Sequence, residues 1–256
     1  ILTALLFALL ALPATAQQTS YDTQTGQMSK FDAFTGNWAG RGTVQQKIDD
    51  EPEQWTGRMS ARKILGDRVI ERDMTVQMGS NSMPWVGRTL YAFDATHEGY
   101  LSHTVDNAGN VEIGDCYWTP DNALISSATL EMNGKVITDL ERIQMRGGKL
   151  HYTVQRSING GEFFTHFEGK FERGGQAVQA TSASMKKQQY RKPSAHMKKL
   201  QPLVGTWNIE GEMTDPASGQ TSTVSGVETV EYGFGGHVLV TELTGTSSTM
   251  DSGEYR

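Results

Sequence analysis

The chain has 256 residues, enough for one or two domains, with 20% charged residues and 28 glycines against 7 prolines. Its 23 basic and 29 acidic side chains leave a formal charge of −6, which argues against a nucleic-acid binder, since phosphate backbones call for a basic footprint. The single cysteine, Cys116, excludes an internal disulfide and any cysteine-based metal site, and reads as a buried, inert thiol.

The chain opens on an apolar run ending in Ala14-Thr15-Ala16, the pattern of a secretory signal peptide cleaved after Ala16. The run is too short to anchor in a bilayer, and no later stretch approaches the roughly 20 apolar residues that a span needs. No cysteine follows the cleavage site to take a lipid. The mature protein is therefore expected in the periplasm or outside the cell. The missing initiator Met and basic n-region imply a sequence shortened at its front. Residues 17–29 are polar and without period, and read as a flexible leader.

From Asn37 onward the hydrophobic period is 2. Strands are predicted over about 37–47, 54–63, 68–78, 85–94, 98–106, 111–118, 123–132, 135–145, 149–158 and 162–173. Turn residues separate them, and Asn133-Gly134 is a strong two-residue hairpin signal. About ten short strands with no helices to cover them predict an all-β fold. An antiparallel up-and-down β-barrel spanning 30–173 is expected, because closure removes exposed sheet edges. Asp106-Asn-Ala-Gly-Asn110 resembles the start of a calcium loop, but its later positions depart from that pattern, and it reads as a hairpin turn.

Residues 174–194 carry no strand period and are rich in Lys and Arg, which predicts a basic linker. A short helix then leads into Leu200-Gln-Pro-Leu-Val-Gly205-Thr-Trp207-Asn-Ile-Glu-Gly211. This matches Phe31-Asp-Ala-Phe-Thr-Gly36-Asn-Trp38-Ala-Gly40-Arg-Gly42 at a constant offset of 169 residues. The offset also pairs Gly57 with Gly226, Gly66 with Gly235 and Val69 with Val238, so a tandem repeat is expected. Residues 195–256 then hold a partial, truncated second copy. Its few strands alone cannot bury a barrel core.

Gly36-x-Trp38 after a short helical turn resembles the calycin superfamily of lipocalin-like barrels. Ile64-Leu-Gly-Asp-Arg-Val-Ile-Glu71, Gly87-Arg-Thr-Leu-Tyr-Ala-Phe-Asp94 and Tyr100 through Val105-Asp106-Asn-Ala-Gly109 add to the resemblance. Together they are similar to a bacterial family of secreted calycin-type barrels catalogued only as a domain of unknown function. The resemblance implies that Trp38 and Trp207, with Gly36 and Gly205, form a structural signature. The Trp would plug the closed end beneath a basic side chain, for which Arg173 and Lys170 are the candidates. It also bears on haem, since the related nitrobindins hold haem through a His late in the barrel, making His166 the corresponding residue. Strand alternation argues against that role. It places Phe163, Phe167 and Phe171 inside and His166 on the wet face with Phe164, Glu168 and Lys170.

No nucleophile elbow, zinc-binding His pair, phosphate loop or cysteine pair is present, so no cofactor is called for and a non-catalytic role is expected. Three basic groups fall on otherwise apolar strand rows: Arg72 with Met74 and Met78, His103 with Leu101 and Val105, and Arg156 with Tyr152 and Val154. Each needs a partner when buried. One reading is a cavity binding a small apolar or amphiphilic, anionic molecule. Its acid group would meet Arg72 or Arg156, and its tail would lie on Met74, Met78, Phe163 and Phe167. The other is a filled barrel, structural or interacting, in which internal carboxylates such as Glu141 neutralise the arginines. A haem-binding or lipid-modifying enzyme is a third. Protein partners stay open.

Overall fold

A computed structural model describes residues 24–79, 83–95, 97–174, 195–214, 219–233 and 236–247. The expected signal peptide and the linker over 175–194 lie outside the described residues. The chain forms two compact units.

The first unit is a closed ten-stranded antiparallel barrel, each strand paired with its neighbours in sequence and the first with the last. Its strands are β1 (Gly36–Val44), β2 (Glu53–Ile64), β3 (Val69–Met78), β4 (Trp85–Asp94) and β5 (Gly99–Asp106), followed by β6 (Val111–Trp118), β7 (Ala123–Met132), β8 (Lys135–Arg146), β9 (Lys149–Ile158) and β10 (Phe164–Arg173). Short turns join them because the turn residues take left-handed backbone angles, as at Asn133 (φ 54°) and Gly134 (φ 72°). The ring closes where β1 pairs with β10, from Trp38 opposite Arg173 to Val44 opposite Phe167. Gly42 lets the strands approach there. A Cβ on it would stand 1.9 Å from the Glu168 carbonyl oxygen.

One end of the barrel is plugged. A helical turn over 24–28 runs into a 3₁₀ helix, Ser29–Phe34, which places Met28, Phe31 and Phe34 in the core. Phe31 packs on Tyr91, Tyr100 and Trp118. The expected leader thus ends sooner than its polarity suggested. Met28 is fully buried, and the Tyr100 hydroxyl donates to the Gln27 carbonyl. Trp38 is 1% exposed and donates its indole N–H to the Phe34 carbonyl at 2.9 Å. The Arg173 guanidinium lies 4.5 Å from the Trp38 ring and donates to the carbonyls of Thr35 and Ala33. Lys170 is exposed on the outer face.

The second unit holds a 3₁₀ helix, Ala195–Leu203, and a three-stranded sheet of β11 (Gly205–Thr214), β12 (Thr221–Gly233) and β13 (Val238–Ser247). Its registers repeat those of β1–β3. Gly36 faces Ala61 and Gly205 faces Val230, while Ile64 faces Val69 and Gly233 faces Val238. Trp207 also donates to the carbonyl four residues before it, that of Leu203, at 2.9 Å. Yet Trp207 is 45% exposed, so the enclosed plug expected of it is not formed by this unit. Three described strands do not surround an indole.

Candidate functional site

Between the plugged end and the opposite mouth, the first barrel is hollow, enclosing a cavity of about 390 Å³. Its floor is a buried polar network built on β3, β4, β8 and β9. Arg72 Nη1 and Nη2 donate to the two Glu141 oxygens at 3.0 and 3.3 Å, and Nη2 also donates to Thr89 Oγ1 at 2.9 Å. The Tyr91 hydroxyl donates to Glu141 at 2.8 Å, and the Tyr152 hydroxyl donates to its other oxygen. The guanidinium lies 5.2 Å from the Tyr91 ring and 5.4 Å from the Tyr152 ring. Burial alone would raise the pKa of Glu141, but Arg72 and the two hydroxyls bring it below the ordinary carboxylate value.

The walls above this floor are apolar on β3 (Met74, Val76, Met78) and at Leu130, Val154 and Phe167. A second ion pair stands among them. Arg156 Nε and Nη2 donate to Asp139 at 2.8 and 2.6 Å. Both arginines predicted from the sequence therefore line the cavity, and both are already neutralised by a carboxylate from β8. The alternative in which internal carboxylates take the arginines describes this part of the site. The expectation that Arg72 or Arg156 stands ready for an acid group does not.

Two predicted site residues lie elsewhere. His103 is exposed on the outer face, between Leu90 and Ile113 of the neighbouring strands. The inward row of β5 is Tyr100, Ser102, Thr104 and Asp106, so the apolar Leu101 and Val105 that flank His103 face outward. Phe163 precedes β10 and is 42% exposed.

His166 moves the other way. The pairing of β10 with β9 slips by one residue between Thr165 and Phe167, a β-bulge, so the adjacent residues His166 and Phe167 both line the cavity. The bulge is secured to the residue that follows β1: the Gln45 N–H donates to the His166 carbonyl at 2.7 Å, and His166 Nδ1 donates to the Gln45 carbonyl at 2.6 Å. That engagement makes Nε2 the free ring nitrogen. Burial, assisted by the Arg156 charge, pushes the imidazole pKa down to about 4. Strict alternation cannot foresee this, because the bulge inserts one residue into the period.

Glu112 was not singled out by the sequence. It lines the cavity from β6, opposite Thr104, on the inward row with Cys116. Burial, then Asp139 and Glu141, push its pKa up to about 7. The signal lay in parity: Glu112 shares a row with Cys116 and Trp118, whereas Val111, Ile113 and Tyr117 on the other row are exposed. Among the described residues, no group of three or more His, Cys, Asp or Glu side chains is placed to hold a metal ion.

Residues 24–146 match the family described as "Protein of unknown function (DUF1579)". The matched stretch runs from the helical plug to the end of β8. It includes Arg72, Glu112, Asp139 and Glu141, and stops short of Tyr152, Arg156 and His166. The resemblance to a family of unknown function is met at this level; the calycin kinship itself rests on the sequence motifs. Among solved structures, the chain is similar to one titled "Crystal Structure of Rv2717c from M. tuberculosis", at 15% identity and a TM-score of 0.43, covering 58% of this chain and 97% of that one. No curated protein matches the chain.

Proposed function

We propose that the first barrel binds a small amphiphilic molecule without chemical conversion, and that it does so in the cell envelope. The observation that carries the reading is the cavity of about 390 Å³, whose walls combine Met74, Val76, Met78, Val154 and Phe167 with a polar floor. A filled barrel would leave no such space. The envelope location is supported by the Ala14-Thr15-Ala16 cleavage pattern. Among the described residues, no helix is long and apolar enough to cross a membrane. Native mass spectrometry of protein purified from an envelope fraction tests the proposal. An added mass that is lost on denaturation supports it. A mass that stays bare after incubation with envelope lipid extract counts against it.

One observation favours a second reading, haem binding. His166 would be the residue to hold the iron through Nε2: its Nδ1–H is held by the Gln45 carbonyl, its low pKa keeps Nε2 unprotonated, and it stands on the cavity wall. Haem, if bound there, would supply iron-centred ligand-binding or redox chemistry. Arg156, paired with Asp139, offers a propionate little. A Soret band on titration with hemin, lost in His166→Ala, is the expected signature. Absence of that band removes this reading.

A further inference from the structure

Six charged side chains line the cavity, and five are already engaged. Arg72 is held by Glu141 and Arg156 by Asp139. Asp106 accepts from the backbone N–H groups of Ala108 and Asn110, from the Asn110 amide and from the Trp85 indole. Glu112 is the exception. Among the described residues it accepts no hydrogen bond and joins no ion pair. Its register neighbour Thr104 is tied to Thr89, which also accepts from Arg72 Nη2, while Arg72 Nε is buried without a hydrogen-bond partner.

Four carboxylates against two guanidiniums leave two carboxylates without a counter-charge, Asp106, which neutral N–H groups satisfy, and Glu112, which nothing satisfies. We infer that Glu112 is the recognition group for a protonated amine, and that the barrel's ligand is a small cationic amphiphile. The inference rests on the amphiphile reading proposed above and replaces the acid head group with a basic one. The ammonium donates to the Glu112 carboxylate, and the alkyl part lies on Met74, Met78, Leu130, Val154 and Phe167. An acid head group would meet the surplus negative charge, with both guanidinium charges already paired to carboxylates.

The raised pKa of Glu112 agrees with this arrangement: burial penalises the lone carboxylate, and a bound cation relieves the penalty. The groups facing Glu112 across the cavity are Arg72 from β3, Asp106 from β5, Asp139 and Glu141 from β8, Tyr152 and Arg156 from β9 and His166 from β10. His166, with its pKa near 4, is neutral throughout the window around pH 7. Ionisation of Glu112 therefore governs amine affinity there.

Isothermal titration of the full chain with octylamine, octanol and octanoate, at pH 8 and pH 6, tests the inference. Octylamine is expected to bind at least about tenfold tighter than octanol at pH 8, a difference of about 1.4 kcal/mol. Octanoate should bind weakest, and the amine preference should shrink at pH 6. Glu112→Gln should abolish the preference of octylamine over octanol; its thermal melt reports that the barrel is folded. Octanol binding without an amine preference, or a preference that survives Glu112→Gln, overturns the inference and leaves the amphiphile reading standing. If none of the three probes binds, the amphiphile reading fails and the inference with it.

Discussion

Arg72 on β3 and Glu141 on β8, 69 residues apart, meet inside the barrel through two hydrogen bonds of 3.0 and 3.3 Å. Side-chain exposures of 6% and 16% make this a buried pair, so removing either partner strands a charge. Arg72→Ala and Glu141→Ala should each cost about 3–5 kcal/mol, read as a lowered urea midpoint with an unchanged slope. The folded pKa of Glu141 lies below its ordinary value, so its contribution is present above the ordinary carboxylate range and is lost as pH falls through the folded pKa. Glu141→Gln should flatten that acid limb. An unaltered limb would show that the pair does not hold the floor together.

Glu112 and His166 should shape stability at mild pH in opposite directions. Glu112 has a folded pKa raised from 4.5 to about 7, so its contribution to stability is present below about 4.5 and is lost as pH rises through 7. His166 has a folded pKa lowered from 6.5 to about 4, so stability falls as pH drops from 6.5 toward 4, where the unfolded imidazole takes up a proton first. Glu112→Gln should therefore raise Tm at pH 8 and change little at pH 4.5. His166→Gln should remove the decline between pH 6.5 and 4. Thermal melts across this range measure both.

At the plugged end, Trp38 and Arg173 carry unequal shares. Trp38 fills the core at 1% exposure, and Trp38→Ala should cost about 3–5 kcal/mol. Arg173 is exposed and contributes its stack on the indole and its two carbonyl bonds, so Arg173→Ala should cost about 1 kcal/mol. Chemical denaturation of both variants measures the ratio.

Glycine substitutions separate crowding from backbone strain. At Gly42 a Cβ would meet the Glu168 backbone across the closing seam, and Gly42→Ala should destabilise the barrel by about 3 kcal/mol. Gly134, in the β7–β8 turn, has open space but a φ of 72°, so Gly134→Ala should cost only about 1 kcal/mol. Hydrogen exchange of β1 and β10 amides should rise in the first variant alone.

The barrel was legible because its signals are local and repeated. Period 2 and the turn residues located all ten strands of the first barrel to within about three residues, as the Asn133-Gly134 turn illustrates. The inward rows of β3, β8 and β9 were also readable, since apolar residues flank Arg72, Glu141 and Arg156. Parity failed where the outer face is apolar: Leu101 and Val105 made the row of His103 look internal, and Val111 and Ile113 hid Glu112. It failed again at His166, because a bulge is a tertiary accommodation at the β9–β10 pairing and leaves no period of its own. The pairing of each arginine depended on registers between strands far apart in sequence, which a single strand's pattern does not carry.

Fluorescence titration with the apolar probe N-phenyl-1-naphthylamine, using the full chain and a cavity-filling Val154→Trp variant, measures whether the hollow barrel takes an amphiphile. Saturable enhancement in the parent, displaced by octylamine and lost in Val154→Trp at unchanged circular dichroism, is the predicted result. No enhancement in the parent, or equal enhancement in the filled variant, would mean that the barrel does not take an amphiphile in this cavity.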